Sequence, residues 1–141
     1  VSWARRCVYE SEIVSIVQAQ VLYIPNRSDA HSDHRAVFSA IMACSKNFRY
    51  PFIEQILMCE VISETDFAPI LGENTFSPNY FIDISEVFIK KIEILKMFGS
   101  ELLPYPMTRN QSAIEALNRY RGTLINAEYA EAFMSIKTIV R

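Results

Sequence analysis

Two stretches of this chain string apolar residues together without alternation. They are Val21-Leu22-Tyr23-Ile24, stopped by Pro25-Asn26, and the run from Gln55 through Ile56-Leu57-Met58-Cys59 to Ile62. A strand with one face in water alternates apolar and polar side chains. Continuous runs therefore describe strands covered on both faces, as in parallel sheets. Between the two runs, Ala36, Val37, Ala40, Ile41 and Cys44 recur at helical spacing, which predicts a helix from about Asp33 to Lys46-Asn47, ahead of Pro51. Tyr80-Phe81-Ile82-Asp83-Ile84 reads as a third strand. Ser85 reads as the cap of a helix whose buried stripe is Val87, Phe88, Ile92, Leu95, Phe98 and Leu102. Pro104 and Pro106 break that helix. Thr108 or Asn110 caps another, with Ala113, Ile114, Leu117 and Tyr120 inward and Gly122 at its end. The tail from Ala127 to Arg141 fits helix or strand. Strands alternating with helices predict an α/β fold with a largely parallel sheet flanked by helices.

The 141 residues, half of them apolar and 21% charged, suit one globular domain over 1–141 with a core of its own. A net charge of −2 gives no basic footprint for nucleic acid. Three glycines, none near another, exclude glycine-rich phosphate cradles. Cys7, Cys44 and Cys59 are odd in number and widely spaced, which points to reduced thiols in a cytoplasmic protein rather than a disulfide framework. Arg5-Arg6 is followed by Glu10 and Glu12, which interrupt the apolar core of a signal peptide. The longest uncharged stretch, Ile13 to Asn26, is too short and polar for a membrane span, which needs roughly 20 residues. The loop from Ser63 to Asn79 is long for a compact domain, a property of functional loops and lids.

Both histidines of the chain fall in His31-Ser32-Asp33-His34, at the junction between the first strand and its helix. Positions i and i+3 of a helix are neighbours, and ligands of α/β sheets gather beyond the carboxyl ends of strands. Imidazoles in that place suit a metal, with Asp33 orienting one ring. They equally suit a surface pair beside a helix N-terminus that Asp33 simply caps. Asp29 flanks a metal pocket or forms an Asx turn. Glu64 ends the second strand, where a site residue and a surface residue are equally at home. Arg109, in a proline-rich loop, contacts a sugar hydroxyl or phosphate, or is a solvated loop arginine. Phe38, Phe88 and Phe98 fall on apolar helix faces and are assigned to the core.

The segment Tyr23-Ile24-Pro25-Asn26 through His31-Ser32-Asp33-His34-Arg35-Ala36-Val37 resembles the LmbE/PIG-L family of zinc-dependent N-deacetylases, in which an H-P-D-H motif opens a helix after a Pro-Asn turn. Ser32 stands where that motif has proline. Further likeness follows in the same order: Ser63-Glu64-Thr65, Pro78-Asn79-Tyr80-Phe81-Ile82-Asp83-Ile84-Ser85, Lys91, Ser100-Glu101, Arg119-Tyr120-Arg121-Gly122 and Tyr129-Ala130-Glu131-Ala132-Phe133.

The resemblance implies that His34 is a zinc ligand and that His31 lies beside the reacting carbonyl. It also implies that Asp33 holds His31 through a hydrogen bond, and it leaves Arg109 and Glu64 as substrate-binding candidates. The implied reaction is hydrolysis of an N-acetyl group on an N-acetylated sugar or sugar conjugate, with other first-row divalent ions able to replace zinc. Glu131 is expected to be a structural partner of an arginine such as Arg121. The family's second motif, A-H-P-D-D-E, is absent from the sequence. The chain then reads as the C-terminal part of a Rossmann-like deacetylase domain, supplying part of a site. The alternative is a catalytically inactive fragment or degenerate relative serving as a structural or interaction module. A part-sheet of this kind exposes an edge, so association with a second copy or with a missing N-terminal half is expected.

Overall fold

A computed structural model describes residues 12–141. The expectations placed on Arg5, Arg6, Cys7 and Glu10 lie outside the described residues. After a helical stretch over 12–17, the chain forms β1 (Val21–Pro25), α1 (Ser32–Ala43), β2 (Gln55–Cys59), β3 (Tyr80–Asp83), α2 (Phe88–Met97), α3 (Gln111–Thr123) and β4 (Ala130–Thr138). A short 3-10 turn, Gly72–Asn74, interrupts the long loop. The fold is mixed α/β, an open four-stranded sheet in the order β1-β2-β4-β3 with helices beside it.

β1 and β2 are parallel, with Val21 opposite Gln55 and Pro25 opposite Cys59. β4 runs antiparallel to β2, which makes the sheet mixed rather than largely parallel. The ladder places Ile56 opposite Lys137 but Leu57 opposite Ser135, so Ile136 is the extra residue of a bulge. The open tail, Ala127 to Arg141, is thus mostly strand.

The described residues divide into two compact units, one of residues 12–77 with 133–141 and one of residues 78–132. In the first, Ile24, Cys44, Ile53, Ile56 and Met58 form a buried cluster, against which Leu22, Phe38, Ile41, Phe76 and Met134 pack. Consecutive Ile56, Leu57 and Met58 are all buried, as a strand covered on both faces requires. β1 is more open than its composition suggests: Val21 and Tyr23 are exposed, as befits the last strand of the sheet. α1 ends at Ala43, earlier than expected, and Lys137 Nζ donates to the Ser45 carbonyl just beyond at 2.6 Å.

In the second unit, Phe88 and Tyr129 stack with ring centroids 3.8 Å apart and planes within 4°. The expected stripe of α2 is only partly buried, since Phe88 and Ile92 are inside while Val87 and Phe98 are exposed. Phe98 therefore leaves the core, because α2 stops at Met97 and the chain turns away. Ser85 does not cap α2, whose N-cap Val87 makes no side-chain bond. Its hydroxyl donates to Asp83 Oδ1 at 2.6 Å and accepts the Glu128 and Tyr129 amides at 3.2 Å. Asn110 caps α3 as expected, its Oδ1 taking the Ala113 amide at 2.9 Å. Tyr120 lies exposed, and Gly122 sits within the last turn of α3 rather than beyond it. Glu131 pairs with Lys91 at 2.6 Å, not with an arginine, and Lys91 also donates to the buried Asn118 at 2.7 Å.

Candidate active site

Because β1 and β2 are parallel neighbours, their carboxyl ends open at one edge of the sheet. The loops that follow, residues 26–31 and 60–65, meet there. The Ala30 amide donates to the Glu64 carbonyl at 3.1 Å, and the Arg27 amide to the Met58 sulfur at 3.3 Å. The Asp29 amide donates to the Asn26 carbonyl at 3.2 Å, which closes a tight turn. Arg35, one turn into α1, clamps this loop from the helix by donating to the Asp29 and Ala30 carbonyls at 2.7 and 2.6 Å. Asn26 is buried at the base of the loop, and its Nδ2 has no hydrogen-bond partner among the described residues.

Asp29 is completely buried, and both of its oxygens are engaged. Oδ2 lies 2.7 Å from His34 Nδ1, and Oδ1 accepts from Thr65 Oγ1 at 2.8 Å. A carboxylate only accepts, so the neutral His34 ring carries its proton on Nδ1 and presents a bare lone pair at Nε2. Metal-binding histidines are prepared in this way, with the remote nitrogen held by a carboxylate. His31 is the reverse. It is the N-cap of α1, and its Nδ1 accepts the Asp33 amide at 3.1 Å, which leaves the proton of the neutral ring on Nε2. The two rings stand 5.4 Å apart between centroids.

These positions refine the expected roles. His31 and His34 do share one side of the helix start. The aspartate that orients His34 is Asp29, while the bond from Asp33 to His31 comes from its main-chain amide. Glu64 reaches the site loop through its backbone carbonyl, and its side chain is half-buried. Arg109 belongs to the unit of residues 78–132, where it pairs with Glu101; both side chains are substantially exposed, a setting in which ion pairs add little stability. Thr65 and Arg35 were invisible as site residues. Thr65 carried one signal, its place in the Ser63-Glu64-Thr65 segment at the end of a buried strand.

A catalytic zinc takes three protein ligands and keeps one position open. His34 Nε2 fits one of them. His31 fits a hydrogen-bond donor rather than a ligand, since its remaining nitrogen bears the proton. Among the described residues no group of three His, Cys, Asp or Glu could hold a metal ion, so they do not complete the set.

Two solved structures share the fold. One is a conserved protein of Thermus thermophilus, 18% identical with a TM-score of 0.69, aligned over 97% of this chain and 60% of that one. The other is an N,N'-diacetylchitobiose deacetylase of Pyrococcus horikoshii in complex with an inhibitor. It is 17% identical with a TM-score of 0.65, over 96% of this chain and 52% of that one. The chain thus spans 60% or less of the length of either. No family model matches the sequence, and no curated protein matches it. At these identities the likeness establishes the α/β fold, one member of which is a deacetylase. Among the described residues no helix is long and apolar enough to cross a membrane.

Proposed function

We propose that this chain carries part of the active site of a zinc-dependent N-deacetylase acting on an N-acetylated sugar or sugar conjugate. The observation that carries the reading is the buried Asp29 carboxylate on His34 Nδ1, which leaves Nε2 prepared for a metal beside a second histidine of opposite tautomer. The shared fold with a deacetylase supports it. In this reading His34 Nε2 holds the ion, and the remaining ligands come from outside the described residues. Zinc, when bound, supplies Lewis-acid activation of water and carbonyl. His31 contributes its Nε2–H as a hydrogen bond to the carbonyl oxygen as charge develops there. Asp33 keeps that proton in place through its amide, which occupies Nδ1.

The test, made on the protein with the remaining metal ligands supplied, is release of free amine from N-acetylated amino sugars in the presence of zinc, followed alongside zinc content. His34→Ala is expected to lose both. His31→Ala is expected to retain zinc and lose about 10²–10³ in rate. The incomplete ligand set among the described residues favours a second reading, a chain that keeps the fold for assembly without turnover. Zinc and turnover unchanged in both variants would reject the first reading, and absence of turnover in the wild type would select the second.

A further inference from the structure

The donors around Asp29 run in one direction, and their source is a backbone amide. Val61 N–H donates to Thr65 Oγ1 at 2.9 Å. A hydroxyl has a single proton, and the lone pair facing Val61 is taken. The proton of Thr65 therefore goes to Asp29 Oδ1, 2.8 Å away and 36 residues distant in sequence. Thr65 is itself locked in place, because its amide donates to the Val61 carbonyl at 2.8 Å. Ser63, inside the same turn, holds φ 75°, a left-handed conformation uncommon for a residue other than glycine. Asp29, accepting the Thr65 hydrogen bond at Oδ1, turns Oδ2 to His34 Nδ1 at 2.7 Å. With Asp29 as a carboxylate and His34 neutral, the chain Val61 N–H, Thr65 O–H, Asp29, His34 Nδ1–H has one consistent assignment of protons. A free imidazole prefers the opposite tautomer, with its proton on Nε2, so His34 needs this arrangement to keep Nε2 bare.

We propose that Thr65 is a positioning residue that sets the tautomer of His34: its hydroxyl, oriented by the Val61 amide, holds Asp29 in place to accept the His34 Nδ1 proton. It acts through Asp29 and touches neither metal nor substrate. The consequence for metal binding rests on the reading of His34 as a ligand, whereas the tautomer itself does not.

The experiment is a two-bond ¹H–¹⁵N correlation on ¹⁵N-histidine-labelled protein without metal, at a pH where both rings are neutral. In the wild type His34 is expected as the Nδ1–H form and His31 as the Nε2–H form. Thr65→Val keeps the shape and removes the hydroxyl, and His34 is expected to shift to a mixture while His31 stays unchanged as the internal control. Thr65→Ser, which keeps the hydroxyl, is expected to restore the wild-type pattern. Zinc titrated alone into the same proteins should bind roughly 10-fold or more weakly to Thr65→Val.

A wild-type His34 in the Nε2–H form, a Thr65→Val spectrum identical to wild type, or a Thr65→Ser spectrum like that of Thr65→Val would each overturn the proposal. If Thr65→Val fails to fold, Thr65→Ala, which also lacks the hydroxyl, takes its place with the same expected mixture at His34. Loss of the deacetylase reading would leave these tautomers standing, so the two failures are distinguishable.

Discussion

His31 and His34 stand 5.4 Å apart between ring centroids, yet their hydrogen bonds call for protons on opposite nitrogens. One ring spends Nδ1 as the cap of α1, and the other donates its Nδ1–H to a buried carboxylate. Adjacent side chains of one residue type thereby become a lone-pair donor and a hydrogen-bond donor. The difference follows from position on the helix. Position 31 precedes the first turn and meets unpaired amides, whereas position 34 faces back over the loop toward Asp29.

Asp29→Asn tests the acceptor at the centre of this arrangement. An amide offers one accepting and one donating end, so with its oxygen on the Thr65 hydroxyl its NH2 faces His34 Nδ1, and the ring keeps a partner by moving its proton to Nε2. Asp29→Asn should therefore convert His34 to the Nε2–H form in a two-bond ¹H–¹⁵N correlation and weaken zinc binding, while urea denaturation registers only about 1 kcal/mol from the exchange of a charge-assisted bond for a neutral one. A His34 that keeps its proton on Nδ1 in this variant would mean that the Asp29 bonds are not formed as described.

The strands were legible because continuous apolar runs leave a local trace, although of β1 and β2 only the second is buried on both faces. The runs at 21–24 and 55–59 hold no polar residue beyond Gln55, and β1 and β2 sit on them. The histidine pair was legible for the same reason, being a short-range pattern at a strand-to-helix junction. The Asp29–Thr65 bond was not, because it is created by the parallel pairing of β1 and β2 rather than by any spacing in the chain. The direction of β4 leaves no local trace either, since antiparallel pairing and a bulge at Ile136 are decided by its neighbour. Ser85 misled for a related reason. Serine is suited to cap a helix, but here its hydroxyl is drawn to Asp83 and the amides before β4.

Ser85 makes a pH-dependent prediction. Its hydroxyl, and then its amide, hold the Asp83 carboxyl below the ordinary carboxylate range. A carboxyl depressed in the folded protein adds stability above its unfolded value, about 4, and that stability is lost as pH falls through the folded value. Ser85→Ala removes the larger cause, so the Asp83 titration should move up toward the ordinary range in ¹³C-detected NMR. The stability gap between wild type and variant should be widest near neutrality and narrow in acid, leaving a pH-independent remainder from the lost bonds to residues 128 and 129. A gap that widened in acid would contradict the assignment.

The Phe88–Tyr129 stack separates packing from hydrogen bonding. Tyr129 also carries the Arg119 guanidinium 4.7 Å above its ring, while its hydroxyl accepts from Arg119 and donates to Glu115 at 3.3 Å. Tyr129→Phe keeps the ring and loses bonds to partly exposed partners, so thermal unfolding should register a cost of about 1 kcal/mol or less. Phe88→Ala empties a buried ring site and should cost roughly 3–5 kcal/mol. Equal effects would show that the hydroxyl bonds, not the stacked rings, hold this part of the second unit.

Gly122→Ala sets two principles against each other. Within a helix, alanine in place of glycine is ordinarily stabilising by roughly 0.5–1 kcal/mol. Gly122 is buried in the last turn of α3, and its carbonyl accepts the Ile125 and Ala127 amides at 3.0 Å, which folds the chain back over the helix. A Cβ built there would lie 2.6 Å from the Ala127 carbonyl oxygen and 2.9 Å from the carbonyl group of Glu128. These are backbone atoms that cannot rotate aside, and Glu128 and Tyr129 beyond them are tied to Ser85. Overpacking of this kind typically costs 1–3 kcal/mol, about enough to outweigh the propensity gain. Gly122→Ala should therefore lower the unfolding temperature, with the loss concentrated in residues 124–129 by amide hydrogen exchange. A raised unfolding temperature would mean that the close crossing over α3 is not maintained in solution.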